Sequence, residues 1–331
     1  LINSGGVRQA PWAEGQNVRH LEPMGFIKFD LLGLSTLKMM EGCIEHILRR
    51  HHNVENPTFE DVREYYDKHL HPDVLDMNDQ EVYENIFHTG KWAGVFQFTE
   101  QGAQRFCTRV KPKNIIDLSA ITSIYRPGPL SADVHEEYVE AKENPHYIKY
   151  LSEEVQEVTQ ETFGFLIFQE RIALLAHKLC GLTLDEGNML RKVLTKKGTG
   201  KGSVKSKLHR KFITGCVDKG LDRDVAQNLW DKFEYFSGYG FNKSHAVSYS
   251  IISYQCAWLW NYYGPEWMAA FLDKEPETRK EKAINIAQQY GFAIAPLDIN
   301  KSGIVWEISE DENTMIQPLT SIKGFGLAAI E

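Results

Sequence analysis

From Thr36 onward the chain reads as one amphipathic helical segment after another, LSTLKMMEGCIEHILRRH first, EVYENIFHTG next and a long series behind them. Strand-like alternation is confined to the two ends. Over residues 25–34, GFIKFDLLGL sets Phe26, Lys28 and Asp30 on one side against Ile27, Phe29 and Leu31 on the other, and past Pro296 come the short runs IVWEIS and TMIQPL. This pattern predicts a mainly α chain with a small α+β part. With 331 residues, 42% of them apolar, it can bury a sizeable core and is long enough for two or three domains.

No apolar run reaches the ~20 residues that span a bilayer, and LINSGGVRQAPW lacks a charged stretch followed by an apolar one. A soluble chain with no membrane partner is expected. Cys43, Cys107, Cys180, Cys216 and Cys256 are widely scattered, with no CxxC pair and no zinc-finger spacing, so they read as core thiols in a reducing compartment. The net charge of -8 argues against nucleic-acid binding, but it hides a segregation. Residues 191–211 carry nine Lys/Arg and no acid, whereas residues 131–161 carry nine acids and two lysines.

Thr183 and Glu186 make a capping box, which predicts a helix from Leu184 toward Leu194 with Arg191 and Lys192 at its C-terminal turn. KKGTGKGS, 196–203, interleaves glycine with lysine and reads as a basic loop; its glycine spacing is not that of a P-loop. The run 191–211 is either a solvated face or a sequence-independent contact with a nucleic-acid backbone, through Lys196, Lys197, Lys201, Lys205 and Lys207. An acid-free stretch in an acidic chain favours the second.

The stretch GYGFNKSHAVSYS, 238–250, concentrates chemistry at a helix start. If Asn242 is the cap, the free amides of the first turn lie beside Lys243 and Ser244 and attract an anion such as phosphate. His245 and Tyr249, four apart, share a helical face, which predicts stacked rings able to hold a base. A capped helix whose His and Tyr are packing residues explains the same pattern. In YRPGPL, Pro127 and Gly128 suit the centre of a type II turn that would aim Arg126, although local evidence favours an ordinary exposed arginine at a tight turn. Asp30 is the lone carboxylate of its strand, and Asp222-Arg223-Asp224 reads as a helix cap, so no converging carboxylate set for a metal pair is found.

The strings IKFDLLGLSTL, GVFQFTEQG, SIYRPGPL, GFLIFQERI, MLRKVLTKK, GYGFNKSHAVSYSIISYQCAWL and APLDINKSG resemble, in order, those of the C-family of bacterial replicative DNA polymerases, the DNA polymerase III alpha subunits. The resemblance spans nearly the whole chain and is densest from Trp92 to Tyr263. It implies a palm remnant over 1–35, a fingers domain over 36–298, and the start of a helix-hairpin-helix and clamp-binding region over 299–331. Asn242, Lys243, Ser244, His245 and Tyr249 would then meet the incoming dNTP, and Arg126, Arg191 and Lys192 would line the same surface. Asp30 would be the third palm aspartate of a two-metal Mg2+ site, and the amides of Gly324 and Gly326 would face a duplex phosphate.

The chain also departs from the family. INSGGV places Asn3 and Ser4 where the family's HAxGV segment has His and Ala, and the proline-led D-x-D of the palm is missing. The expected partners are template-primer DNA, dNTP, a polymerase half carrying the other palm aspartates and, through regions not in this sequence, a sliding clamp. The expected setting is the cytoplasm of a bacterium or of a phage-infected bacterial cell. Three roles are open: one part of a split polymerase, inactive alone; a nucleotide- or DNA-binding module without catalysis; and a shortened piece of a longer chain.

Overall fold

The computed structural model describes residues 2–9, 25, 33–131, 133–195, 202–237, 240–322 and 324. Leu1–Ser35 forms one compact unit and Thr36–Glu331 the other. Within the first, β1 (Ile2–Ser4) and β2 (Val7–Gln9) pair antiparallel, with Asn3 opposite Arg8. The hairpin turns on Gly5 and Gly6, at φ +60° and +80°, the double left-handed turn that matches strand twist and that glycine adopts without strain. Asp30 and most of the strand expected over 25–34 lie outside the described residues.

The second unit is helical, with α1 (Ser35–His51), α2 (Phe59–His69), α3 (Gln101–Val110), α4 (Ile115–Ile124), the single-turn α5 (Pro127–Ser131) and α6 (Val134–Glu143). There follow α7 (Glu153–Thr159), α8 (Glu170–Cys180), α9 (Leu184–Thr195), α10 (Gly202–Asp218), α11 (Arg223–Ser237), α12 (Lys243–Tyr262), α13 (Gly264–Lys274) and α14 (Lys280–Gln289). Three short strands close it: β3 (Ala293–Ala295) runs parallel to β5 (Thr314–Ile316), and β4 (Glu307–Ile308) antiparallel to it. The mainly α chain with a small β part is thus as expected.

Two cores are distinguishable. The larger is centred on α4 and α12, which pack along their lengths. Both carry small residues where they are buried, Ser119, Ala120 and Ser123 on one and Ala246, Ser250, Ser253 and Ala257 on the other, so their backbones can approach closely. The smaller core is formed by α7 to α11, where Val158, Leu175, Leu179, Leu190, Phe212, Trp230 and Phe233 interdigitate. The chain passes between the cores at a parallel bridge of Phe168 with Phe241, flanked by Phe241 N–H to the Ile167 carbonyl, 3.0 Å, and Gln169 N–H to the Phe241 carbonyl, 2.9 Å.

Several expectations are corrected. Pro127-Gly128 is not a type II turn: Leu130 N–H donates to the Arg126 carbonyl over 3.0 Å, making α5 a helical turn with Pro127 at its first position, where its fixed φ and missing N–H are tolerated. α10 starts at Gly202, inside the stretch 196–203 expected as a loop, of which 196–201 lie outside the described residues. EVYENIFH becomes a single α-turn, Gln80–Val82, running into a π-helix over Tyr83–His88. The five cysteines are all free and buried. Among the described residues no helix is long and apolar enough to cross a membrane.

Candidate functional site

The site is built where the two cores join. Asn242 caps α12 as its sequence predicts: its side-chain oxygen accepts from the His245 N–H at 2.8 Å. Its amide nitrogen donates instead to Glu170 Oε1 at 2.7 Å, and Glu170 Oε2 accepts the Lys243 N–H at 3.1 Å. The first amide of α12 is therefore met by a carboxylate from the start of α8. The Lys243 ammonium reaches Glu161 Oε1 at 2.6 Å, and Arg171 pairs with the same oxygen. Burial lowers the pKa of Lys243, and the adjoining Arg171 guanidinium lowers it further, against the opposing pull of Glu170.

A row of rings runs along the outer face of α12. The Arg126 guanidinium lies 3.5 Å over the ring of Phe241, a close cation-π contact. Phe241 meets His245 edge-on at 5.5 Å, His245 meets Tyr249 at 4.0 Å, and Tyr249 meets Phe96 at 5.2 Å. The His245 and Tyr249 planes are inclined by 40°, so they do not form the parallel stack expected; Phe96 holds Tyr249 from its other side at 41°. His245 and Ser244 are exposed and Tyr249 is half-buried.

Arg191 is tied into the same junction, its Nη1 donating to Gln169 Oε1 at 2.8 Å while Gln169 Nε2 donates to the Gly240 carbonyl at 3.0 Å. Lys192 follows it on α9 and is exposed. The structure thus brings together Arg126, Arg191, Asn242, Lys243, His245 and Tyr249. The basic run is less available than the sequence suggests: Lys205 pairs with Glu234 and Lys211 with Glu186, while Lys207 is exposed. Lys196, Lys197, Lys201 and Gly326 lie outside the described residues; Gly324 is exposed at φ +85°.

Glu161, Glu170, Arg171, Gln169, Phe168, Phe241 and Phe96 are members of the site that sequence reasoning missed. Phe241 adjoins the capping asparagine, which is a usable signal. Glu170 and Asn242 are 72 residues apart, and nothing local announces their pairing. For a divalent metal, no group of three or more His, Cys, Asp or Glu among the described residues could hold the ion.

Cations at a capped helix start beside a row of flat rings make a site suited to a phosphorylated ring compound, carried on a mainly helical scaffold. The chain belongs to the family of the bacterial DNA polymerase III alpha subunit finger domain, whose model matches residues 44–220. It is similar to DNA polymerase III subunit alpha of Aquifex aeolicus, 33% identical over 92% of this chain and 25% of that protein. The same-named proteins of Campylobacter jejuni and Halalkalibacterium halodurans are 31% and 30% identical over 94% and 98% of this chain. The chain spans about a quarter of the length of these curated relatives.

Proposed function

We propose that this chain supplies the fingers of a DNA-directed DNA polymerase, binding an incoming dNTP at the junction between its two cores and template-primer DNA along the adjoining basic surface. The observation that carries this reading is the convergence of Lys243, Arg171 and the first amides of α12 with the row Phe241, His245, Tyr249 and Phe96. Cations and amides hold the triphosphate, since charge-assisted hydrogen bonds to phosphate oxygens are among the strongest available. The exposed His245 ring and the edge of Tyr249 offer a surface for the base, where stacking contributes about 1–3 kcal/mol per base. Arg126, fixed over Phe241, orients a guanidinium toward the same ligand without loss of charge.

Arg191, Lys192 and Lys207, with Lys196, Lys197 and Lys201, would follow the DNA backbone by charge alone, with a binding strength that falls steeply with salt. Gly324 and Gly326 would offer amides to a duplex phosphate further along. Mg2+ would be held by Asp30 together with the other palm aspartates, supplied by a separate polypeptide. The setting of such a reaction would be the bacterial cytoplasm, with a sliding clamp engaged through other regions.

Single-nucleotide extension of a primed template with Mg2+ tests the assignment, using the chain alone and mixed with a polypeptide that carries the D-x-D half of a palm. Extension in the mixture, abolished by Asp30→Asn, is the expected result. DNA and dNTP binding with no extension in any mixture would replace it with a binding module.

A further inference from the structure

Four donors at the start of α12, the Lys243 N–H, the Asn242 side-chain amide, the Lys243 ammonium and the Arg171 guanidinium, are already engaged by one of two carboxylates. Glu170 accepts the backbone N–H of Lys243 and the side-chain amide of Asn242. Glu161, from the turn Gln160–Thr162, bridges the Lys243 ammonium and the Arg171 guanidinium. The bridge is only partly open to water, with Arg171, Lys243 and Glu161 side chains 11%, 29% and 34% exposed. Arg171 also keeps a buried Nε with no hydrogen-bond partner, a donor left over after its carboxylate is satisfied. Two carboxylates facing two side-chain cations make the group electrically balanced as it stands.

We propose that Glu161 and Glu170 are internal stand-ins for phosphate, a latch that a triphosphate must exchange for itself, and that this exchange sets the site's preference for a triphosphate over shorter phosphates. The proposal rests on the nucleotide-site reading given under Proposed function. The physical reason is like-charge repulsion: a phosphate chain that approaches Lys243 and Arg171 meets Glu161 on both side-chain cations and Glu170 on the first amide of α12, and must displace them. A triphosphate brings enough charge and enough acceptors to satisfy Lys243, Arg171 and the α12 amides together. A monophosphate can satisfy only part of the set, and leaves a cation or an amide unpaired in a partly buried site. Without ligand, the carboxylates keep Lys243 and Arg171 from repelling one another, which accounts for acids inside a site meant for an anion.

The test titrates the full chain with inorganic tripolyphosphate, dATP and dAMP, comparing wild type with Glu161→Gln, Glu170→Gln and Lys243→Ala. The latch predicts that either glutamine variant binds tripolyphosphate and dATP on the order of three- to tenfold more tightly, with a narrower margin between dATP and dAMP. Unchanged or weaker binding by both glutamine variants, with Lys243→Ala still weakening it, would overturn the latch and leave the nucleotide site standing. Failure of wild type and every variant to bind any of the three ligands would overturn both. A measurement on wild type alone guards against variants that do not fold. Two glutamate carboxyl carbon-13 resonances should move on saturation with tripolyphosphate, and binding that leaves all of them in place contradicts the exchange.

Discussion

The two cores of the helical unit differ in how far apart in sequence their parts lie. The larger is stitched by long-range hydrogen bonds from buried or nearly buried groups: Trp267 Nε1 to the Ala93 carbonyl at 2.8 Å, Tyr254 to the Asp76 carbonyl at 2.9 Å and Gln255 to the Leu70 carbonyl at 2.8 Å. The smaller is made from one stretch, α7 to α11, and its helices pack on helices one or two places away in sequence. A core of local contacts can form and open with little involvement of distant segments. The proposed nucleotide site lies on the Phe168–Phe241 crossing that joins them, so one set of its residues, Glu161, Glu170 and Arg171, belongs to the smaller core's side, and α12 to the larger's. Binding there would couple the two.

Breaking the smaller core should show how independent it is. Phe233 is fully buried in it, and Phe233→Ala should cost about 3–5 kcal/mol. Hydrogen exchange is expected to accelerate across α8 to α11 while Trp267 and its surroundings stay protected; uniform loss of protection would mean that the cores fold as one. Gly215→Ala probes the same core more gently. A Cβ there would lie 2.1 Å from the Cys180 carbonyl oxygen, so α8 and α10 must part. Overpacking of this kind costs about 1–3 kcal/mol, read as a lower midpoint in urea with an unchanged slope. Because α8 starts with Glu170, the same change should also alter nucleotide affinity if the crossing couples the cores.

Tyr249→Ala sharpens the comparison on the other side. The side chain is half-buried between His245 and Phe96, so the change should lower stability by under about 1.5 kcal/mol. Nucleotide affinity should fall by about 1–3 kcal/mol at a temperature where the variant is fully folded. An affinity that tracks only the folded fraction would make Tyr249 a packing residue.

The comparison also explains what could be read in advance. Helix starts were legible because capping is local: Asn242 on α12, Thr183 with Glu186 on α9, where the reciprocal bonds form at 3.0 and 3.2 Å, and Asp222 on α11. Pro127 was ambiguous because the same fixed φ serves a turn centre and a helix start, and only the Leu130 to Arg126 bond decides between them. The cations of the site were legible by their type and neighbours, but their partners were not. Glu161 closes the acid-rich stretch 131–161 and Glu170 is the lone acid over 162–184, and neither setting gives a sign that these two turn inward to Lys243 and Asn242. The register of helices across a junction is set by packing, which short-range patterns do not encode.

The most direct test of the central claim is the affinity of the folded chain for dATP before and after Lys243→Ala, measured by calorimetry at one salt concentration. Loss of at least about tenfold, with circular dichroism unchanged, is predicted for a cation that meets the triphosphate. Equal affinity in the two proteins would contradict a nucleotide site at the start of α12.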